Sequence, residues 1–195
     1  MKKHVLNLAI ASVLVSGSAF AAAPGANDSS TANIDFTGKV TSSLCQVSTA
    51  DLNKTIALGE ISASALQNGG KAPAQSFSIT LNNCATDTGE ISYVFSDANG
   101  SSARAAYLEP KASDTAASGV GVFLEQSDGT AIHIGKAENL DIIKNTNGTD
   151  ALPQQTIPLK AYIGKKNAQS TVTPGTVDAS AVLTIRTVAA TAPTP

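Results

Sequence analysis

Hydrophobic and polar positions alternate along much of this chain with the two-residue period of an extended strand. Ile34, Phe36, Gly38 and Val40 fall on one side and Asp35, Thr37 and Lys39 on the other, which predicts a half-buried strand over 34–40. Leu44 and Val47 carry the pattern past Cys45. Residues 55–61 (TIALGEI) form a second extended piece, and 58–67 has room for one short helical turn. Asn68-Gly69-Gly70 and Pro73 mark 66–74 as a loop. Phe77, Ile79 and Leu81 alternate with Ser78, Thr80 and Asn82 up to Cys84. Ile91, Tyr93 and Phe95 do the same before the turn Asp97-Ala98-Asn99-Gly100. Further runs occupy 119–125, 131–134 and 157–163. The last run, 177–188, puts Val177, Ala179, Ala181, Leu183 and Ile185 on one face. No stretch keeps a helical period for three turns. About seven short strands separated by turn residues predict an all-β sandwich in one domain.

The two ends depart from this pattern. Lys2 and Lys3 precede a short apolar run, 6–15, and Ala19-Phe20-Ala21 is a small-x-small cleavage site. This is a secretory signal peptide over 1–21. A membrane anchor is the alternative, and the apolar run is shorter than the roughly 20 residues a span needs. Residues 22–33 (AAPGANDSSTAN) are small, polar and turn-prone, and read as an arm with no core of its own. The chain closes with a Pro-rich tail, 189–195.

Composition narrows the function classes. The 195 residues are 42% hydrophobic, 14% charged and 4% aromatic, with no Trp, so the core is built from small and β-branched side chains. A formal charge of −2, more negative still once Lys2 and Lys3 are removed, gives no basic surface for nucleic acid. No membrane span is expected after residue 21. Export makes the only two cysteines, Cys45 and Cys84, an expected disulfide; redox thiols would want a Cys-x-x-Cys motif. His133 is the only histidine after the signal peptide: without a second His or a nearby Cys or carboxylate cluster no metal centre is expected, and a Ser-His-Asp triad could only use His133, with no nucleophile-elbow motif to pair with it. Gly119-Val-Gly121 lacks the third glycine and the helix of a phosphate loop. Asn99-Gly100-Ser101 and Asn147-Gly148-Thr149 are formal sequons but ordinary Asn-Gly turns. No catalytic residues, metal or cofactor are expected.

The arm, the cysteine pair and the last strand together resemble the subunits of chaperone–usher fimbriae, closest to the major-subunit pilins of the type 1 kind. The carriers run along the chain in order: Ile34-Asp-Phe-Thr-Gly38-Lys-Val40 before Ser43-Leu-Cys45, then Ile56-Ala-Leu-Gly59-Glu-Ile61, then Phe77-Ser-Ile-Thr-Leu-Asn-Asn-Cys84. Gly119-Val-Gly-Val-Phe-Leu-Glu125, Ile157-Pro-Leu-Lys-Ala-Tyr162 and Thr173-Pro-Gly175 complete the match.

The resemblance implies an incomplete immunoglobulin-like sandwich over 34–188 that lacks its last strand. Such a fold leaves an apolar groove with unpaired backbone on its rims. A periplasmic chaperone would fill it first, and the arm of a neighbouring pilin would replace the chaperone at an outer-membrane usher. The contact is head-to-tail and propagates into a homopolymer. On this reading Ala26, Ser30, Ala32 and Ile34 belong to the donor arm. Phe36 and Val40 form one rim of the acceptor groove, and Val177, Ala179, Ala181, Leu183 and Ile185 form the other. The expected function is that of a structural fimbrial subunit serving cell adhesion at the cell surface. The alternatives are a minor, adaptor or tip subunit, or a complete secreted immunoglobulin-like binding domain.

Overall fold

The computed structural model of the protein describes residues 33–36, 45–100 and 105–190. The expected signal peptide and arm, up to residue 32, together with Val40 and the residues from 191 onward, lie outside the described residues. The chain divides into two units, Met1–Val40 and Thr41–Pro195. In the first, residues 33–36 belong to no strand, and Ile34 and Phe36 are exposed.

The second unit is a sandwich of two antiparallel sheets. The larger has strands β1 (Gln46–Val47), β2 (Gln75–Asn82), β7 (Gln155–Lys165), β4 (Val120–Gln126) and β5 (Ala131–Ile132), in the order β1-β2-β7-β4-β5. The smaller has β6 (Ala137–Leu140), β3 (Thr88–Asp97) and β8 (Ala181–Ala189), in the order β6-β3-β8. One short helix, α1 (Ala63–Gln67), falls within the stretch expected to hold a helical turn. Ser62 caps it by accepting the Ala65 N–H at 3.2 Å, and Gly69 turns the chain away at φ 85°.

The two-residue alternation is what builds the core. Ile79 and Leu81 of β2, Ile157, Leu159 and Ala161 of β7, and Val122 and Leu124 of β4 are buried on the inner face of the larger sheet. Ile91, Tyr93 and Phe95 of β3 meet them from the smaller one. A second cluster, Leu66, Ala72, Val120 and Ile163, closes one end. Pro158 is tolerated inside β7 because β4 ends opposite Leu159, so β7 has only β2 beside it at that point. The disulfide Cys45–Cys84 ties the entry to β1 to the end of β2.

On the outer face of the larger sheet, Tyr107, Phe123 and Tyr162 form a row of ring contacts with centroids 5.7 and 5.3 Å apart. The row lies over the paired glycines Gly121 and Gly164. A Cβ on Gly121 would come within 2.7 Å of the Tyr107 ring, and one on Gly164 within 2.8 Å of Phe123. The glycines are therefore required by the rings that cover them.

Gln155 is fully buried and every polar atom of its side chain that the loop can reach is used. Its Nε2 donates to the Ile143 and Leu152 carbonyls at 2.8 and 3.0 Å, and its Oε1 accepts the Ile143 N–H at 2.8 Å. It pins the 141–152 loop to β7. Gln155→Leu strands these buried backbone groups and is expected to cost about 1–3 kcal/mol, measured as a lower midpoint in guanidinium unfolding.

Three boundaries differ from the sequence expectation. Residues 66–74 begin inside α1 rather than in loop. The last strand enters the sheet at Ala181, not Val177, because its partner β3 ends at Asp97 opposite Ala181. Residues 55–61, expected to be an extended piece, form no strand and turn at Gly59 with φ 75°, and they make no backbone hydrogen bond among the described residues. β6 was not anticipated, since Ala-Glu-Asn-Leu carries too little alternation to stand out.

Candidate functional site: an open groove between the sheets

Between the edges of the two sheets runs a groove of about 1630 Å³. Its floor is the inner face of the larger sheet: Phe77 and Ile79, Val120 and Val122, Ala161 and Ile163. One rim is the segment 55–61 and the other is the chain from Thr176 into β8. Phe77, Leu58, Val177, Ala179 and Leu183 pack against the core yet stay half-exposed along it. Here the margin of the core is only partly covered by the described residues.

Among the described residues, both rims also have backbone groups without partners. Among the described residues, no backbone hydrogen bond is made by residues 55–61. On the opposite rim the carbonyls of Thr176, Asp178 and Ser180 are used on the side away from the groove, by the N–H groups of Ala117, Lys111 and Ala98 at 2.9, 2.6 and 3.0 Å. In an extended chain the N–H and C=O of alternate residues point to opposite edges. The backbone groups of Val177 and Ala179 therefore face the groove, and no partner meets them among the described residues. An apolar floor between two unpaired edges is the negative image of one missing strand.

Asp51 and Lys54 anchor the start of the first rim. Asp51 accepts the Thr80 N–H at 2.8 Å and pairs with the Lys54 ammonium at 2.6 Å, while Lys54 Nζ donates to the Ser78 carbonyl at 2.6 Å. The Lys54 hydrogen bond, with the Thr80 N–H second, holds the Asp51 carboxyl below the usual aspartate value of 3.8. A carboxyl depressed in the folded state stabilises above its unfolded pKa and loses that contribution as pH falls through its folded pKa. Asp51→Asn is accordingly expected to be less stable than the parent at pH 7, with the gap closing below about pH 4. Guanidinium unfolding at a series of pH values measures it.

Val177, Ala179, Ala181 and Leu183 line the groove. Ile185 lies beyond it, half-buried against the main core opposite Tyr93. Ile34 and Phe36 belong to the other unit and are 69% and 91% exposed. Ala26, Ser30, Ala32 and Val40 are outside the described residues. Sequence reading did not assign Ile56 and Leu58 to the groove, although their alternation in an apolar piece with no evident neighbour was a usable signal. His133 is half-buried just after β5. Among the described residues, no group of three His, Cys, Asp or Glu side chains could hold a metal, and no helix is long and apolar enough to cross a membrane.

Comparison with known proteins gives the groove a context. The sequence model described as fimbrial protein matches residues 34–187. Fimbrial protein 987P of Escherichia coli is 48% identical over 190 residues, 95% of this chain and 96% of that protein. A type-1 fimbrial protein subunit of Serratia marcescens is 31% identical over 191 residues, 95% and 98% of the two chains. Among solved structures, a chain from a chaperone–usher pilus superposes with a TM-score of 0.62 at 20% identity, covering 84% of this chain and 99% of that one. The P pilus rod subunit PapA superposes with a TM-score of 0.59 at 17% identity, covering 75% and 100%. These two likenesses establish the fold: a sandwich of the pilin kind, immunoglobulin-like and incomplete.

Proposed function

The chain belongs to the fimbrial protein family, and from that membership and the open groove we propose that it is the structural subunit of a chaperone–usher fimbria. The observation that carries the reading is the apolar groove bounded by two backbone edges without partners among the described residues. A single strand from another molecule satisfies both edges and covers the floor at once. The arm 22–33, extended, spans at most about 40 Å, enough to run the length of a sandwich. Ala26, Ser30, Ala32 and Ile34 would then supply the donor face, with Val177, Ala179, Ala181 and Leu183 on the acceptor side.

Each copy has one arm and one groove, so the contact is heterologous and grows into a homopolymer instead of closing on itself. Before assembly the same groove needs a chaperone strand, because an open apolar edge in the periplasm would pair with whatever reaches it. An outer-membrane usher would exchange that strand for the next arm and place the fibre on the cell surface. The protein's work is mechanical, with no reaction, cofactor or metal involved. Sheet completion transmits load along the fibre for adhesion.

The test compares the exported chain with a version lacking 22–33. The full chain is expected to form threads visible by electron microscopy. The truncated one should keep its disulfide and β circular dichroism and form none. Threads of equal length from the armless protein would overturn the proposal.

A further inference from the structure

The upper half of the acceptor rim is not held by the sheet to which its strand belongs. β3 ends at Asp97 opposite Ala181, and from Ser180 back to Thr173 the rim has no strand beside it. Its place is taken by residues 109–118. Asp97 Oδ2 accepts the Glu109 N–H at 2.7 Å, and Asn99 Nδ2 donates to the Glu109 carbonyl at 2.9 Å, which fastens this segment to the end of β3. Lys111 N–H then donates to the Asp178 carbonyl at 2.6 Å, Ala117 N–H to the Thr176 carbonyl at 2.9 Å, and Thr176 N–H to the Thr115 carbonyl at 2.8 Å.

Two further features lock the register. Ser118 N–H donates to Thr173 Oγ1 at 3.0 Å, and the Ser118 and Thr173 hydroxyls share a hydrogen bond of 2.8 Å. Gly175 lies so close beneath the segment that a Cβ would come 2.5 Å from the Ala116 carbonyl carbon and 2.6 Å from the Thr115 oxygen. Only glycine fits there without moving the backbone.

We propose that residues 109–118 act as a splint that holds the rim 173–180 extended and receptive before a donor strand arrives, with Ser118, Thr173 and Gly175 as positioning residues. The inference rests on the fimbrial reading of the groove. Its physical content is preorganisation. Without the splint, the Ala98 N–H on the Ser180 carbonyl would be the one backbone hydrogen bond left to 173–180 among the described residues, and an incoming strand would have to order most of its own acceptor. With the splint, the groove-facing groups of Val177 and Ala179 are already in line. The splint's hydrogen bonds reach the rim at the Thr176 and Asp178 carbonyls on its outer side, and Ala117 is the one splint residue that also lines the groove.

The experiment uses the full exported chain in three forms: unmodified, Ser118→Ala, and Gly175→Ala. Assembly is followed by light scattering and electron microscopy. Amide hydrogen exchange across 173–180 is read before assembly, and the guanidinium midpoint is read on the same preparations. Loss of the hydroxyl pair is expected to shrink the receptive population and slow assembly about tenfold. Exchange should speed up at 173–180 while the global midpoint of Ser118→Ala stays within error of the parent. Unchanged assembly and exchange in Ser118→Ala would overturn the splint. So would slowing accompanied by an equal loss of global stability, which marks ordinary structural damage. If Gly175→Ala fails to fold, Ser118→Ala and Thr173→Val decide the matter. If the unmodified chain itself never assembles, the fimbrial reading fails, and local exchange alone then judges the splint.

Discussion

A domain lacking residues 22–33 is expected to become markedly more stable when a peptide copying 22–36 is added. The groove supplies the reason. Phe77 on its floor and Leu58 and Leu183 on its rims are only half-buried, and the two rims present backbone groups, without partners among the described residues, that an extended segment can satisfy together. A ligand that binds only the folded state at a hundred times its Kd adds about 2.7 kcal/mol. For a domain of this size that raises the midpoint by roughly 5–11 °C. The arm is built from small residues, so the peptide contributes mainly through backbone ladders and only modestly through apolar burial at about 25 cal/mol per Å². A peptide of the same length carrying prolines in place of alternate residues should therefore bind far less well, because it loses the N–H donors of the ladder. Thermal unfolding against peptide concentration measures both. A flat midpoint at saturating peptide would mean that the groove does not receive this arm.

Removing the disulfide is expected to have the second large effect. Cys45 and Cys84 are 39 residues apart, and the bond joins the start of β1 to the end of β2. Closing a loop of that length restricts the unfolded chain by about 4 kcal/mol in the loop-entropy model. The double Cys→Ala variant should therefore melt roughly 8–16 °C lower than the parent. The consequence is large here because the free subunit is already short of one strand. An open sandwich without this tie should spend more time unfolded and be captured poorly by the periplasmic chaperone. Co-purification of the variant with the chaperone, compared with the parent, reads this out. A chaperone complex recovered in equal amount would show that the bond is dispensable for capture.

Both effects trace to positions that differ in how visible they are in the sequence. Phe77, Ile79 and Leu81, and Ile91, Tyr93 and Phe95, announce their strands because each side chain alternates between core and solvent. Ile157, Leu159 and Ala161 do the same for the central strand, despite Pro158. The rim at 55–61 alternates like an extended piece in sequence but does not announce where it lies, since it pairs with no strand among the described residues and turns at Gly59. Gly121 and Gly164 look like weak points in their strands until Tyr107, Phe123 and Tyr162 are seen lying over them. Gln155 looks like any polar residue at a strand start, and its burial follows from the path of the 141–152 loop, which periodicity does not encode.

The sequence by itself determined the all-β class, the strand faces, the pairing of the two cysteines and the apolar stripe from Val177 to Ile185, because all of these follow from local chemistry and a two-residue period. Only the tertiary structure decided that β8 joins its sheet at Ala181, that 55–61 forms the facing rim, and that 109–118 stands in for a strand beside 173–180. Those facts depend on where β3 stops relative to β8. Strand endings in space are set by contacts between residues far apart in the chain, and no local pattern carries that information.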